Sequence, residues 1–322
     1  MSSETQPAAP RSTEHMAQNL PLVTVGVASY NNAAYLRETL ESIRLQTYPN
    51  VELLVVDDAS TDDSVAVVEA WLAEHPEVNG RLIRHPTNRG ICPSCNDLLN
   101  NATGEYFSVV GSDDVYLPDK LEHQVKLLHN AGPEFAVLTS SIEFMDGEGN
   151  KLPKPDDFAI PHPPEVFIPL LKGCFIGAVG VLIRRSCFAT VGQYDEQLPF
   201  EDWDMWLRMS RQYKFLYSPK VSARYRRHRN SFFETRKRQA EEGALLLLNK
   251  HRGVSAEADA IIIAQTRLRA EWLYQIGSPQ AAHWLGIRWR DSRDLRSLAL
   301  YTLAKMGVSG EQVVKFQRRL GR

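Results

Sequence analysis

The chain has 322 residues, 43% of them apolar and 24% charged. Those proportions are those of a globular protein and exclude wholesale disorder, a collagen-like repeat or a disulfide scaffold. Lys and Arg number 37 against 39 Asp and Glu, a net of −2, so total charge names no partner, and the length allows one large domain with a smaller one or two of ordinary size.

The first twenty residues are polar, with several Pro and Ser and no apolar stretch. They are expected to form a flexible tail, residues 1–20, with no signal peptide, which places the protein in the cytoplasm or at the inner face of the membrane. No apolar run reaches the roughly 18–20 residues of a membrane-spanning helix. From residue 22 onward, strand and helix patterns alternate. A β-branched run at 22–29 predicts a buried strand. Leu36, Leu40, Ile43 and Leu45 space a helix over 33–46 that Tyr48-Pro49 closes. Residues 51–56 predict a strand ending in Asp57-Asp58, and Val65, Val68 and Leu72 a helix over 62–74. A strand at 81–84, a helix at 94–101, a strand at 106–110 ending in Gly111-Ser112-Asp113-Asp114, and a helix at 118–130 follow.

This alternation is the pattern of a doubly wound, mostly parallel α/β sheet, whose ligands bind beyond the carboxyl ends of the strands. Ser29, Tyr30 and Asn31 fall there, as do both acidic pairs. Past Phe135 the pattern loosens. It predicts a strand at 136–144, a turn at 146–149, a long Pro-rich loop at 151–169, a strand at 175–183, a helical turn at 186–191 and a helix at 202–212. Five helices follow, at 240–250, 256–274, 279–289, 291–306 and 310–320. The composition shifts near residue 235, so the expected division is an α/β domain of residues 21–235 and a helical appendage of residues 236–322.

Asp113-Asp114 at a strand end suits a hard divalent cation that bridges to a diphosphate, or equally the N-cap of the next helix. Asp57-Asp58 is a good turn and cap, and a carboxylate there can accept from a nucleobase N–H. Glu201, Asp202 and Asp204 open a helix whose dipole favours acids. One of them beside Trp203 and Trp206 would have a raised pKa, which suits a general base. Seven basic residues stand between Arg224 and Arg238 with one acid, Glu234. Such a block suits phosphate oxygens or is a solvated face, and His228 within it is a metal or phosphate ligand or an ordinary surface residue. Cys92 and Cys95 form a C-x-x-C, read as buried thiols or, less simply, as a redox pair or half a zinc site with Cys174 and Cys187. No G-x-G-x-x-G, P-loop, H-E-x-x-H or G-x-S-x-G motif occurs, and no nucleic-acid partner is expected. Nucleotidyl transfer would need a Gly-rich phosphate loop, and Val25-Gly26-Val27 inside a strand is not one.

These pieces, in order, resemble the family 2 glycosyltransferases of GT-A fold over 23–232. The resemblance rests on Ala28-Ser29-Tyr30-Asn31, on Val55-Val56-Asp57-Asp58-Ala59-Ser60-Thr61-Asp62, and on Asn88-Arg89-Gly90 with Asn96 and Ala102-Thr103-Gly104-Glu105-Tyr106. It continues through Ser112-Asp113-Asp114 with Leu117-Pro118-Asp119-Lys120-Leu121, Gly192-Gln193-Tyr194-Asp195, Glu201-Asp202-Trp203-Asp204 and Tyr225-Arg226-Arg227-His228 with Ser231. It implies an inverting enzyme with a nucleotide-diphosphate sugar donor, a carbohydrate, lipid-linked or small-molecule acceptor, and Mg²⁺ or Mn²⁺. By the same resemblance, Asp202 is the base. Asp113, Asp114 and His228 serve the metal. Ser29, Tyr30, Asn31, Asp57, Arg89, Gly90, Asn96, Ser112, Asp113 and Glu201 form the donor site. The chain departs from the family at Gly111, where an Asp is usual. That departure leaves a second reading, a catalytically silent relative that binds sugar or serves assembly.

Residues 253–322 hold eleven basic and six acidic residues, with Trp272, Trp284 and Trp289 among the arginines. Such helices suit an anionic membrane surface, or a bundle packed on the catalytic domain or on a second copy.

Overall fold

The computed structural model describes residues 20–155, 164–229 and 231–319. The expected tail, apart from Leu20, lies outside the described residues, as do 156–163 of the Pro-rich stretch. In chain order the first elements are β1 (Val23–Ser29), α1 (Ala33–Arg44), β2 (Val51–Asp57), α2 (Ser64–Glu74), β3 (Gly80–Arg84), α3 (Ile91–Asn101), β4 (Tyr106–Gly111), β5 (Val115–Tyr116) and α4 (Lys120–Asn130). These agree with the alternation read from the sequence to within a few residues. β1 is buried at every position. Its Gly26 is explained by α3, because a Cβ there would lie 3.0 Å from a Leu98 methyl. Leu36, Thr39, Leu40 and Ile43 make the buried face of α1.

The second half holds β6 (Phe135–Met145), β7 (Lys151–Leu152), α5 (Phe167–Leu170), β8 (Val181–Arg184), α6 (Phe188–Val191), α7 (Asp202–Ser210) and β9 (Lys214–Arg226). The sheet runs β3-β2-β1-β4-β8-β6-β9-β5, with β7 paired to β6. β3, β2, β1 and β4 are parallel, as expected. Beyond β4 the sheet is mixed: β8 is antiparallel to both β4 and β6, while β6 and β9 are parallel. Of the strand expected at 175–183 only 181–183 is extended, within β8, because Ala178–Gly180 is a 3₁₀ turn. Gly180 there lies against β6, where a Cβ would be 2.9 Å from the Ser140 carbonyl. Along with the two-residue β5 and β7, the sequence pattern misses the long strand β9. Pro219 sits inside it, and proline ordinarily argues against a central strand. The register passes from Ser140↔Ser218 to Ser141↔Val221, so a bulge absorbs Pro219 and Lys220. The Pro-rich stretch is bracketed by β7 and α5 rather than being loop throughout.

One core lies on each side of the sheet, one around Leu36, Leu40, Trp71 and Leu121, the other around Leu98, Phe107, Trp203 and Trp206. The C-terminal helices are α8 (Phe232–Thr235), α9 (Lys237–Asn249), α10 (Ala256–Gln275), α11 (Ala281–Ser292), α12 (Leu295–Lys305) and α13 (Gly310–Arg319). Ala244, Leu247 and Leu248 of α9 belong to the same core as Trp203 and Trp206. Leu245 instead faces the core that α10, α11 and α12 build from Leu273, Trp284, Leu285 and Leu300. Helix α9 is therefore shared between the sheet and the helical bundle. Its Gly243 lies against Pro199, whose Cδ would be 2.6 Å from a Cβ there.

Lys120 is fully buried at the start of α4 and has no carboxylate partner among the described residues. Its ammonium donates to Gln124 Oε1 at 2.6 Å and lies 4.3 Å from the centre of the Tyr116 ring. Burial pushes the ammonium down to about 7 from its ordinary 10.5. Between those values the unfolded chain holds a proton that the folded chain has released, so this group makes stability rise with pH. Thermal midpoints of the wild type and Lys120→Met should therefore diverge between pH 7 and pH 10. The wild-type curve is expected to gain on the flatter variant; parallel curves would show that Lys120 is charged in the folded protein.

Candidate functional site

The carboxyl ends of β1, β2 and β4 meet at one edge of the sheet. Ser29 Oγ donates to Asp57 Oδ2 at 3.2 Å, and the Ser60 amide and hydroxyl donate to the same carboxylate at 2.8 and 2.6 Å. Asn31 is left-handed, with φ of 52°. Its side-chain oxygen accepts from the Thr61 amide at 2.7 Å, and its own amide donates to Ser60 Oγ. Ser29, Asn31, Asp57, Ser60 and Thr61 thus form one group, with the exposed Tyr30 beside it. Ser112 joins it from β4, accepting from Asn32 Nδ2 at 2.9 Å.

Asp58 is the anchor of the next loop. It accepts from the amides of Arg89 (2.8 Å) and Gly90 (2.7 Å), and lies 2.7 Å from His85 Nδ1. The other ring nitrogen of His85 meets Asp97 at 2.8 Å, and Asp97 also takes the Arg89 guanidinium. Gly90 has φ of 95°, a backbone that favours glycine. Arg89 and Gly90 are thereby fixed next to the Asp57 group. Asn96 is not brought to it: its amide bonds both the N–H and the C=O of Tyr194, and also Glu196. His85 and Asp97 gave no signal in the sequence, where a lone His and a helical Asp are unremarkable.

The turn after β4 carries the second group. His228 Nε2 lies 3.0 Å from Asp113 Oδ2, so two residues 115 apart in the chain come together. Asp114 is buried, and its Oδ1 accepts from the Arg226 amide at 2.8 Å. Burial first, and then the charge of Asp113, push its carboxyl well above the usual range. Arg226, counted above among possible phosphate ligands, is buried instead. Its guanidinium donates to the Asp113 carbonyl and to Glu38, and stacks 4.7 Å from Tyr35. It latches the acidic turn, and the sequence could not separate it from its exposed neighbours Arg224 and Arg227. At Gly111 a Cβ would lie 2.8 Å from Asp113 Oδ1 and 3.3 Å from Asp114 Oδ2, so these carboxylates fill the space of the missing side chain.

The third group opens α7. Glu201 and Asp202 line a pocket with Val109, Ala178, Tyr194 and Trp206. Asp202 Oδ1 accepts from the Trp203 amide at 2.6 Å, and the Cys174 thiol lies 3.9 Å from Oδ2. Burial lifts the Asp202 carboxyl to about 6. Burial and the neighbouring Asp202 charge lift Glu201 to about 8. Asp204, the third acid of this turn, is held by Arg208 (2.8 Å) and Lys250 (2.6 Å) and faces away from this chemistry. Trp203 and Trp206 are core residues whose indoles donate to the Leu170 and Ile176 carbonyls. Tyr225 is half-buried near all of these acids. Burial first, then the charges of Asp114, Asp113, Asp202 and Glu201, push its phenol upward. The sequence placed Tyr225 in a motif and gave it no role.

Cys92, Cys95 and Cys187 are buried free thiols, and burial raises all three. No group of three or more His, Cys, Asp or Glu among the described residues could hold a metal. Cys92 and Cys95 pack in the core with Leu98, and Asp113 with His228 sets a carboxylate against an imidazole at the acidic turn.

The profile of the family described as Glycosyl transferase family 2 matches residues 24–192, more than half of the chain. This chain belongs to that family. An uncharacterised glycosyltransferase of Rickettsia prowazekii is 30% identical over 235 residues, 70% of this chain and 71% of that protein. One of Rickettsia felis is 34% identical over 197 residues, 59% of this chain but 32% of its own length, so the chain spans about a third of that relative. Among solved structures, TarS of S. aureus (residues 1–349) in complex with UDP-GlcNAc superposes with a TM-score of 0.65 at 20% identity, covering 94% of this chain and 92% of that one. A mannosyltransferase of Pyrobaculum calidifontis, in complex with GDP-Man and Mn²⁺, gives 0.59 at 20% identity over 90% and 81% of the two chains. The fold is that of these GT-A proteins: a curled mixed sheet with helices on both faces and a C-terminal helical region.

Asp58→Ala would leave the Arg89 and Gly90 amides and one buried His85 nitrogen without their partner. Loss of such a network costs about 3 kcal/mol. Urea unfolding should show a drop of that order, and a variant within 0.5 kcal/mol of wild type (roughly the surface-substitution range) would show that Asp58 does not anchor the loop.

Proposed function

We propose that this protein is an inverting glycosyltransferase that moves a sugar from a nucleoside diphosphate to an acceptor hydroxyl, with Asp202 as base. The observation that carries this reading is the Glu201–Asp202 pair. Two carboxyls of different ionisation face a pocket, close enough to the Asp113–His228 pair to act on the same phenol. The two carboxyls titrate as a coupled pair, so at neutral pH one can accept a proton while the other keeps its own, and this reading gives the first role to Asp202. Glu201 keeps its own and can donate a hydrogen bond to a sugar oxygen.

In this reading Ser29, Tyr30, Asn31, Asp57 and Ser112 surround the base and ribose, with Arg89 and Gly90 beside them, while Asn96 supports the pocket through Tyr194. Asp202 takes the proton of the acceptor hydroxyl, the oxygen attacks the anomeric carbon from the face opposite the leaving group, and the nucleoside diphosphate departs. Mg²⁺ or Mn²⁺ fits the residues present. Asp113 and His228 would hold the ion with Asp114 behind them, and diphosphate oxygens would complete its shell. A bound ion supplies Lewis-acid stabilisation of the departing diphosphate. The UDP-GlcNAc of one structural neighbour and the GDP-Man and Mn²⁺ of the other support this choice of donor and cofactor.

A thermal-shift panel of UDP, GDP, dTDP and CMP, each with and without Mn²⁺, tests the donor site. A nucleotide at a hundred times its Kd adds about 2.7 kcal/mol to the folded state. One metal-dependent shift is expected, abolished in Asp113→Ala. No shift with any nucleotide would favour the silent relative. Asp202→Asn should keep the shift and lose transfer by about a thousandfold in kcat. Wild-type turnover should rise with pH through about 6. Full transfer by Asp202→Asn would remove this residue from the mechanism.

A further inference from the structure

The outward face of α12 has no partner among the described residues. Leu295 is 85% exposed, Leu298 38% and Met306, just past the helix end, 72%. With the exposed Ala299 and Thr302 they recur at three- and four-residue spacing, the signature of one helix face. The opposite face is the packed one, through Ser297 and Leu300. A continuous apolar stripe in water is unfavourable unless something covers it.

The border of the stripe says what covers it. Trp289 of α11 stacks on Tyr301 of α12, with ring centres 6.0 Å apart and planes within 10°. Arg293 lies over Trp289 and Lys305 over Tyr301, 5.3 and 5.9 Å from the ring centres. A cation, two amphipathic rings and a second cation therefore run along one edge of the apolar stripe. The acids of these helices are engaged internally. Asp294 caps α12 through the Ser297 amide and hydroxyl, Asp291 pairs with Arg252, and Glu271 pairs with Arg288 and Arg296. Arg290, Arg293 and Lys305 have no carboxylate partner among the described residues and are exposed. The face is thus apolar in the middle, aromatic at the border and net positive at the rim.

We propose that this face docks on an anionic lipid surface. Leu295, Leu298 and Met306 enter the headgroup layer, Trp289 and Tyr301 sit at its level, and Arg293 and Lys305 meet lipid phosphates. A second copy of the chain is the weaker match, because two such faces would bring like-charged rims together. The proposal does not rest on the transferase reading, since none of these residues belongs to the sugar-transfer site.

The full chain should be sedimented with vesicles of phosphatidylcholine alone and with about 30 mol % phosphatidylglycerol, at low and high salt. Binding is expected to the anionic vesicles alone and to weaken with salt. Leu295→Ser/Met306→Ser and Arg293→Glu/Lys305→Glu should each lower the partition coefficient by roughly tenfold. Both should keep the wild-type melting temperature, which shows that they fold. No wild-type binding to anionic vesicles, or equal binding by wild type and both variants, overturns the proposal. Concentration-dependent dimers in sedimentation velocity that vanish in Leu295→Ser/Met306→Ser, without vesicle binding, would assign the face to a second copy instead.

Discussion

Crowding of negative charge at one sheet edge is the constraint on which the rest of this structure depends. Asp57, Asp58, Asp113, Asp114, Glu201 and Asp202 converge there, and several are buried or half-buried. Carboxylates taken from water repel one another and lose solvation unless donors replace it. The fold supplies donors in three ways. Amides of Ser60, Arg89 and Gly90 serve Asp57 and Asp58, the amide of Arg226 serves Asp114, and imidazoles meet Asp58 and Asp113. Donors do not fully offset burial at Asp114, Glu201 and Asp202, and their protons are correspondingly harder to remove.

The strand that completes this compensation is β9. Antiparallel pairing of Val115 and Tyr116 with Arg224 and Ala223 brings the end of β9 against the turn that holds Asp113 and Asp114. Arg226 and His228 therefore reach that turn although more than a hundred residues separate them from it in the chain. From the other side, α9 reaches α7. Lys250 bonds both Asp195 and Asp204, and Gly243 admits Pro199 just before Phe200 and Glu201. The helical region is packed against the element that carries the proposed base and is coupled to its position.

The parallel half of the fold was legible because its central strands β1 and β2 are rich in valine and leucine and buried on both faces, and helices such as α1 keep an apolar stripe. The mixed half was not. Pro219 disguised β9, and the 3₁₀ turn of Ala178–Gly180 shortened the strand expected at 175–183. The site was legible where chemistry-bearing residues are adjacent in sequence, as in Asp57-Asp58, Asp113-Asp114 and Glu201-Asp202. It was illegible where a role depends on distant pairing. Arg226 read as one cation among many, and only the register of β9 with β5 and β6 turns it inward. His85 acquires meaning only between Asp58 and Asp97. Asn96 shows the reverse, a residue assigned by resemblance to the donor site that is bonded to the Tyr194 backbone.

The space beside Gly111 bears on how this chain relates to proteins that carry an acid there. Asp113 reaches into that space with one oxygen while holding His228 with the other. A carboxylate side chain placed at 111 would therefore require Asp113 to shift. The incoming carboxylate would contend with Asp113 for the same few ångströms and pull it from its imidazole. Any acid at 111 therefore has to be accommodated by moving Asp113, and with it the hydrogen bond that ties the acidic turn to the end of β9.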